Sequence, residues 1–317
     1  MDDALRRWVE ETTGAAITSS KRHLVGGSRD LWFLEVGGRS LVLRAETGAG
    51  ALTGTPLTLR REAAVCRALA GTGVPVAEVV AVSERPDAVL MTRLPGTSDL
   101  RQLAPADGPA LVEHFMTTLA SVHRLDAAML DLPGFDRPRR AEDNALQDLD
   151  LWQDMVTEHL LTPEPVLSEA FEWLRDHAPG SVDRTVLVQG DTGPGNFLFE
   201  GRTVTGVVDW ELSHLGDPMD DIAWLDVRGA TGPFADVAAR DAAYERASGI
   251  PIKAESVAYY RVFVFLRCAA ITSMALARGL GTHGPAAYRA PHQRFLASLA
   301  EAMAPTRAEG GTPRARH

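Results

Sequence analysis

Three short apolar runs, Thr185 to Val188, Phe197 to Glu200 and Val204 to Trp210, stand inside a long stretch that otherwise reads as helix. The loop between the first two limits what can surround them. Gln189-Gly190-Asp191-Thr192-Gly193-Pro194-Gly195-Asn196 carries three glycines and a proline in eight residues, which breaks both helix and strand and leaves an irregular turn. Thirteen residues after Asn196, Asp209-Trp210-Glu211 ends the last apolar run. Two hairpin-linked elements therefore supply three oxygen-bearing side chains: Asp191, Asn196 and Asp209.

Those residue types suit one chemistry. Magnesium takes hard oxygen ligands, usually one or two from protein with waters and substrate phosphates completing the shell, so Asn196 and Asp209 form an expected metal pair. Asp191 is then free to accept or orient the proton of an attacking hydroxyl, as phosphoryl transfer requires. Singly, each residue is an ordinary turn former or strand cap; their order and spacing together point to catalysis.

The Asp-x4-Asn spacing matches the catalytic loop of protein kinases, and the chain resembles the aminoglycoside phosphotransferase and choline kinase family. The resemblance is carried by Gln189-Gly190-Asp191 through Asn196, by Asp209-Trp210-Glu211, and by Gly216-Asp217-Pro218 with Asp220-Asp221. It implies an α+β, protein-kinase-like fold of two lobes and a kinase that uses ATP and Mg2+ to phosphorylate a small-molecule hydroxyl. Many family members have histidine where Gln189 stands; glutamine still donates and accepts, so the loop is expected to hold. Asp217 reads as a helix cap. Asp221 is read chiefly as a helix-start residue, with a role in steadying the loop as the alternative.

The earlier part of the chain fits. Ile17 to Leu24, Leu31 to Val36 and Ser40 to Ala45 read as an antiparallel meander, one helix falls between Pro56 and Ala70, and Val74 to Val82 and Ala88 to Leu94 read as further strands. Leu94-Pro95-Gly96 ends this region, which gives a nucleotide-binding lobe over 1–95, a mainly helical lobe over 96–304 and a disordered tail over 305–317. In that tail, Gly, Pro, Thr and Arg replace apolar periodicity.

The resemblance also assigns roles in the first lobe. A kinase needs a cation on the third strand and a helix glutamate to orient it; Arg44 and Glu62 stand at those places. Arginine replaces the usual lysine there, as in the subgroup that includes kinase domains fused to acyl-CoA dehydrogenases. Only Lys21 and Lys253 occur in the chain, and neither stands in the right context. Ser28, in the turn Gly26 to Asp30, is placed to face nucleotide phosphates. Backbone groups of Thr92 and Leu94 are placed to meet adenine.

Composition narrows the partners. A formal net charge of -10 speaks against nucleic acid, which demands clustered cations, and fits a neutral or cationic small substrate. Cys66 and Cys268 are too few for a disulfide framework, which suggests a reducing cytoplasm. No signal-peptide pattern and no uninterrupted apolar run of about 18 residues appears, so a soluble protein without membrane contact is expected. Oligomeric state is left open.

The acceptor has two expected forms. Acidic residues Asp148, Asp150, Asp154 and Glu158 suit the ammonium groups of an aminoglycoside. The basic cluster Arg137, Arg139 and Arg140, with the Leu43-Arg44 resemblance, suits a hydroxyacyl-CoA. His123 reads as a packed core residue and His214 as facing the cleft. A nucleotide-binding module without turnover is the third form.

Overall fold

The structure, a computed structural model, describes residues 1–23, 29–46, 48, 50–160, 164–279 and 286–304. Leu24, the turn at Gly26 to Ser28 and the tail from Pro305 lie outside the described residues. The chain opens with helix α1 (Asp3–Thr13), then β1 (Ile17–His23), β2 (Asp30–Val36), β3 (Arg39–Ala45), helix α2 (Leu59–Leu69), β4 (Val79–Glu84) and β5 (Asp87–Thr92). The five strands form one antiparallel sheet in the order β1-β2-β3-β5-β4.

Successive strand residues face opposite sides, and β3 uses this to sort its side chains. Leu41, Leu43 and Ala45 face α1, where Leu5 and Val9 complete a small core with Leu34, Val36, Ala88 and Leu90. Val42 and Arg44 face the other way, toward α2 and the rest of the molecule. The sequence reading had no helix at α1, yet its cues are local: Asp2 accepts a hydrogen bond from the Leu5 amide at 2.8 Å, and Gly14 ends the helix in the left-handed region.

After β5 come α3 (Gly108–His123), α4 (Asp143–His159), α5 (Pro165–Asp176), β6 (Val186–Val188), β7 (Phe197–Glu200), β8 (Thr203–Val207), β9 (His214–Gly216), α6 (Met219–Arg228), α7 (Val237–Ser248), α8 (Ala254–Ala277) and α9 (Ala286–Met303). β7 pairs with β8 and β6 with β9. The expected strand Val74 to Val82 begins only at Val79, because the Pro75 carbonyl is drawn off to accept from Val207 in the second half at 2.8 Å. The expected run Val204 to Trp210 ends at Val207, where the Val208 amide bonds to the Asn196 carbonyl and Asp209 turns into the left-handed region at φ 63°.

The large core is continuous from α2 and the inner face of β5 into the helices. Its centre is α8, which packs against α4, α5, α6 and α9. At 24 residues, α8 is long and apolar enough to cross a membrane, but two-thirds of its most apolar window is buried inside the protein. Arg61 of α2 fastens the halves together: it donates to the carbonyls of Gly134 (2.9 Å) and Ser213 (3.1 Å) and lies 3.6 Å over the Phe135 ring.

Candidate active site

Between the sheet and the helical half lies a cavity of about 410 Å³, within the usual range for small-ligand sites. Phe33, Val42, Met91 and Leu198 give it apolar walls; Arg44, Glu62, Asn196 and Asp209 give it a polar end. Thr92 and Leu94 also line it. The Thr92 amide is spent on the Glu78 carbonyl at 2.9 Å. Ser28 is outside the described residues. Neighbouring Arg29 does line the cavity, held by Glu46 at 3.0 Å and the Leu57 carbonyl at 2.7 Å.

Arg44 is the electrostatic centre. Its guanidinium reaches Glu62 at 2.6 Å, Asp209 at 3.1 Å and Glu211 at 3.6 Å, a planar fork bridging α2 to the segment after β8. Burial opposes its charge, but these three carboxylates hold its pKa above the ordinary arginine value. Burial pushes Glu62 upward against the pull of Arg44. Burial and the Asp209 charge push Glu211 up to about 8, Arg44 again opposing.

The loop from Gln189 to Asn196 is held by groups on its buried side. Gln189 accepts from the Asp191 amide (2.9 Å) and the Thr192 hydroxyl (3.0 Å), and donates to the carbonyls of Val208 (3.1 Å) and Asp209 (2.8 Å), tying both candidate segments together. Gly190 stands at φ 83°, and a Cβ there would lie 2.3 Å from the Leu212 carbonyl oxygen, so only glycine fits. Asp221 stands in the first turn of α6, as expected, and also steadies the loop: it accepts from the amides of Gln189 (2.9 Å) and Gly190 (3.0 Å) and from the Thr192 hydroxyl. His123, fully buried as expected, bridges Asp221 (3.0 Å) and Tyr244 (2.7 Å).

Asp191 sits where loop and helix meet. Asn196 donates to its carboxylate at 2.5 Å and to its carbonyl at 2.8 Å, and Arg228 at the end of α6 is ion-paired to the other carboxylate oxygen. Burial pushes the carboxyl up to about 6, with Arg228 opposing and Asp209 adding to the rise. The sequence reading missed Arg228, and a lone arginine in the last turn of a helix gives no local sign of such a contact. Among the described residues no group of three or more His, Cys, Asp or Glu side chains could hold a metal. A pair of hard oxygens, Asn196 Oδ1 and the Asp209 carboxylate, still fits magnesium, because Asn196 gives Asp191 its nitrogen and keeps its oxygen.

Part of each cluster invoked for the acceptor is engaged elsewhere, while Asp154, Glu158 and Arg139 are exposed. Asp148 is buried and bonded to Arg267 at 2.7 Å, and Asp150 pairs with Arg175 at 2.7 Å. Arg137 caps the carbonyls of Ala127 and Leu130, and Arg140 pairs with Asp143 at 2.8 Å. His214, expected in the cleft, is buried with Asp220 at 3.1 Å.

Comparison with known proteins bears directly on the fold. A family model described as the phosphotransferase enzyme family matches residues 21–260, well over half of the chain. Mouse (Mus musculus) acyl-CoA dehydrogenase family member 10 is 29% identical over 236 residues, 70% of this chain, and chicken (Gallus gallus) acyl-CoA dehydrogenase family member 11 is 28% identical over 222 residues, 66% of this chain. The chain spans only 22% and 28% of these two relatives' lengths. Among solved structures, a putative aminoglycoside phosphotransferase from Ralstonia eutropha aligns with a TM-score of 0.70 at 24% identity, over 95% of this chain and 97% of that one. A thermostable mutant of aminoglycoside phosphotransferase APH(4)-Ia, in ternary complex with ADP and hygromycin B, aligns with a TM-score of 0.68 at 17% identity, over 98% and 100%. The fold is the two-lobed, protein-kinase-like α+β fold.

Proposed function

We propose that this chain, which belongs to the phosphotransferase enzyme family, transfers the γ-phosphoryl group of ATP to a hydroxyl of a small molecule. The observation that carries this is the bridge from Glu62 through Arg44 to Asp209 across a ligand-sized cavity, with Asp191 and Asn196 on the adjoining loop. Thr92 and Leu94 would meet the base through their backbone, and Arg44, oriented by Glu62, would hold phosphate oxygens. Asn196 and Asp209 would hold magnesium, which when bound neutralises charge on the phosphates.

Asp191 receives the acceptor hydroxyl. As the new oxygen–phosphorus bond forms and the bond to ADP breaks, the hydroxyl proton passes to the Asp191 carboxylate and then to solvent. Burial of Asp191 supports this role because it makes the carboxylate a better base than an exposed aspartate.

The test is magnesium-dependent ADP release across aminoglycosides, amino alcohols and hydroxyacyl-CoA thioesters, with Asp209→Ala as control. Turnover on one class, abolished in the control, is expected. ATP binding without turnover on any alcohol would instead mark a nucleotide-binding module.

A further inference from the structure

Arg228 stands in the last turn of α6, where a cation ordinarily complements the helix dipole. Its guanidinium turns back onto the catalytic loop. Nη1 donates to Asp191 Oδ1, while Nε and Nη2 donate to the Pro194 carbonyl at 3.3 Å and 2.8 Å. The loop closes around this side chain: a Cβ on Gly193 would lie 3.1 Å from Arg228 Cβ, and one on Gly195 3.0 Å from Nη2.

A guanidinium has five N–H donors. Among the described residues three of Arg228's are engaged, which leaves one on each terminal nitrogen, and the side chain is 26% exposed. Asn196 and Asp209 line the nucleotide-sized cavity, but Asp191 and Arg228 do not. Asn196, which does line it, donates to the Asp191 carboxylate at 2.5 Å, so the Asp191–Arg228 pair adjoins the polar end of that cavity.

We propose that Arg228 selects the acceptor, presenting its two remaining N–H groups to a carboxylate or phosphate carried close to the reacting hydroxyl. This rests on the phosphotransferase reading above. A hydroxyl donating to Asp191 and an anion accepting from Arg228 are joined through the Asp191–Arg228 pair, so the two acceptor groups lie within about 9 Å, three hydrogen-bond lengths. The fork suits a planar or tetrahedral oxyanion and repels an ammonium group at that place.

The test compares 3-hydroxypropanoate with 3-hydroxypropanamide and 3-aminopropan-1-ol, and glycerol 3-phosphate with glycerol, measuring kcat and KM with ATP and Mg2+. The same five compounds are titrated onto the protein with ADP and Mg2+. An anionic member is expected to be favoured by about 10- to 100-fold, the worth of one charge-assisted contact, and the carboxylate and phosphate arms show which anion it is. Arg228→Gln removes the preference through KM, Arg228→Lys restores part of it, and both keep the parent's ATP affinity. Equal or undetectable binding of all members, preference for the ammonium compound, or an equal loss on every acceptor in Arg228→Gln overturns the proposal. Absence of ATP binding by the parent, read separately by nucleotide titration, refutes the phosphotransferase reading and this proposal with it.

Discussion

Replacing Arg44 by methionine keeps most of the side chain's length and removes its charge, leaving Glu62 buried at 3% exposure without its partner at 2.6 Å. A carboxylate in that position escapes by protonating. Holding it protonated at pH 7 against an unfolded value of about 4.3 costs about 3.7 kcal/mol, which caps the loss. Burial already raises Glu62 in the parent, so part of that cost is present there, and the expected difference is about 2–3 kcal/mol. The sign follows from linkage. The folded variant binds a proton that the unfolded chain releases, so its stability is recovered as pH falls toward the unfolded value and lost as pH rises. Urea midpoints at pH 7.5 and pH 5.5 should show the deficit shrinking at the lower pH, and Arg44→Met/Glu62→Gln should recover part of it at pH 7.5, the remainder belonging to Asp209 and Glu211, which lose the same cation. A deficit independent of pH, or one that Glu62→Gln leaves untouched, would refute the reasoning.

Three further outcomes are expected. Asp191→Asn lowers kcat by about 10²- to 10⁴-fold with nucleotide affinity retained; a rate within a few-fold of the parent would remove Asp191 from its role. Gly190→Ala forces a Cβ to within 2.3 Å of the Leu212 carbonyl at φ 83° and should cost roughly 3–5 kcal/mol in thermal or urea unfolding; an unchanged midpoint would show that the loop can shift at no cost. Arg267→Met strands Asp148 and Asp220, each bonded to Arg267 at 2.7 Å in the buried helical half, and should destabilise by about 3–5 kcal/mol, a loss that full retention of the urea midpoint would contradict.

What could be read from the sequence was local. Asp191, Asn196 and Asp209 declare themselves because glycine, proline and strand ends fix them within one hairpin, and Arg44 because strand alternation turns it away from Leu43. Glu62 needed only the phase of one helix. Asp148 was misread because what buries it, Arg267, is 119 residues away on α8. Arg228 reaches Asp191 across 37 residues from a helix end that looks unremarkable in isolation. Strand β9 is three residues long, and only its partner β6 makes it a strand. Asp221 gave its dipole-compatible position but not the loop amides it receives, since those arrive by packing rather than by spacing.

A cleft organised on arginine has a practical chemical consequence. The chain's two lysines are elsewhere, Lys21 on the exposed face of β1 and Lys253 paired with Asp183 at 2.9 Å, and neither lines the cavity. Acylating nucleotide analogues that label kinases through a strand amine will find no amine among the residues lining this cleft. The soft nucleophile on its wall is Cys66, whose thiol burial pushes well above its ordinary pKa, so covalent reagents must carry their own driving force rather than rely on a ready thiolate.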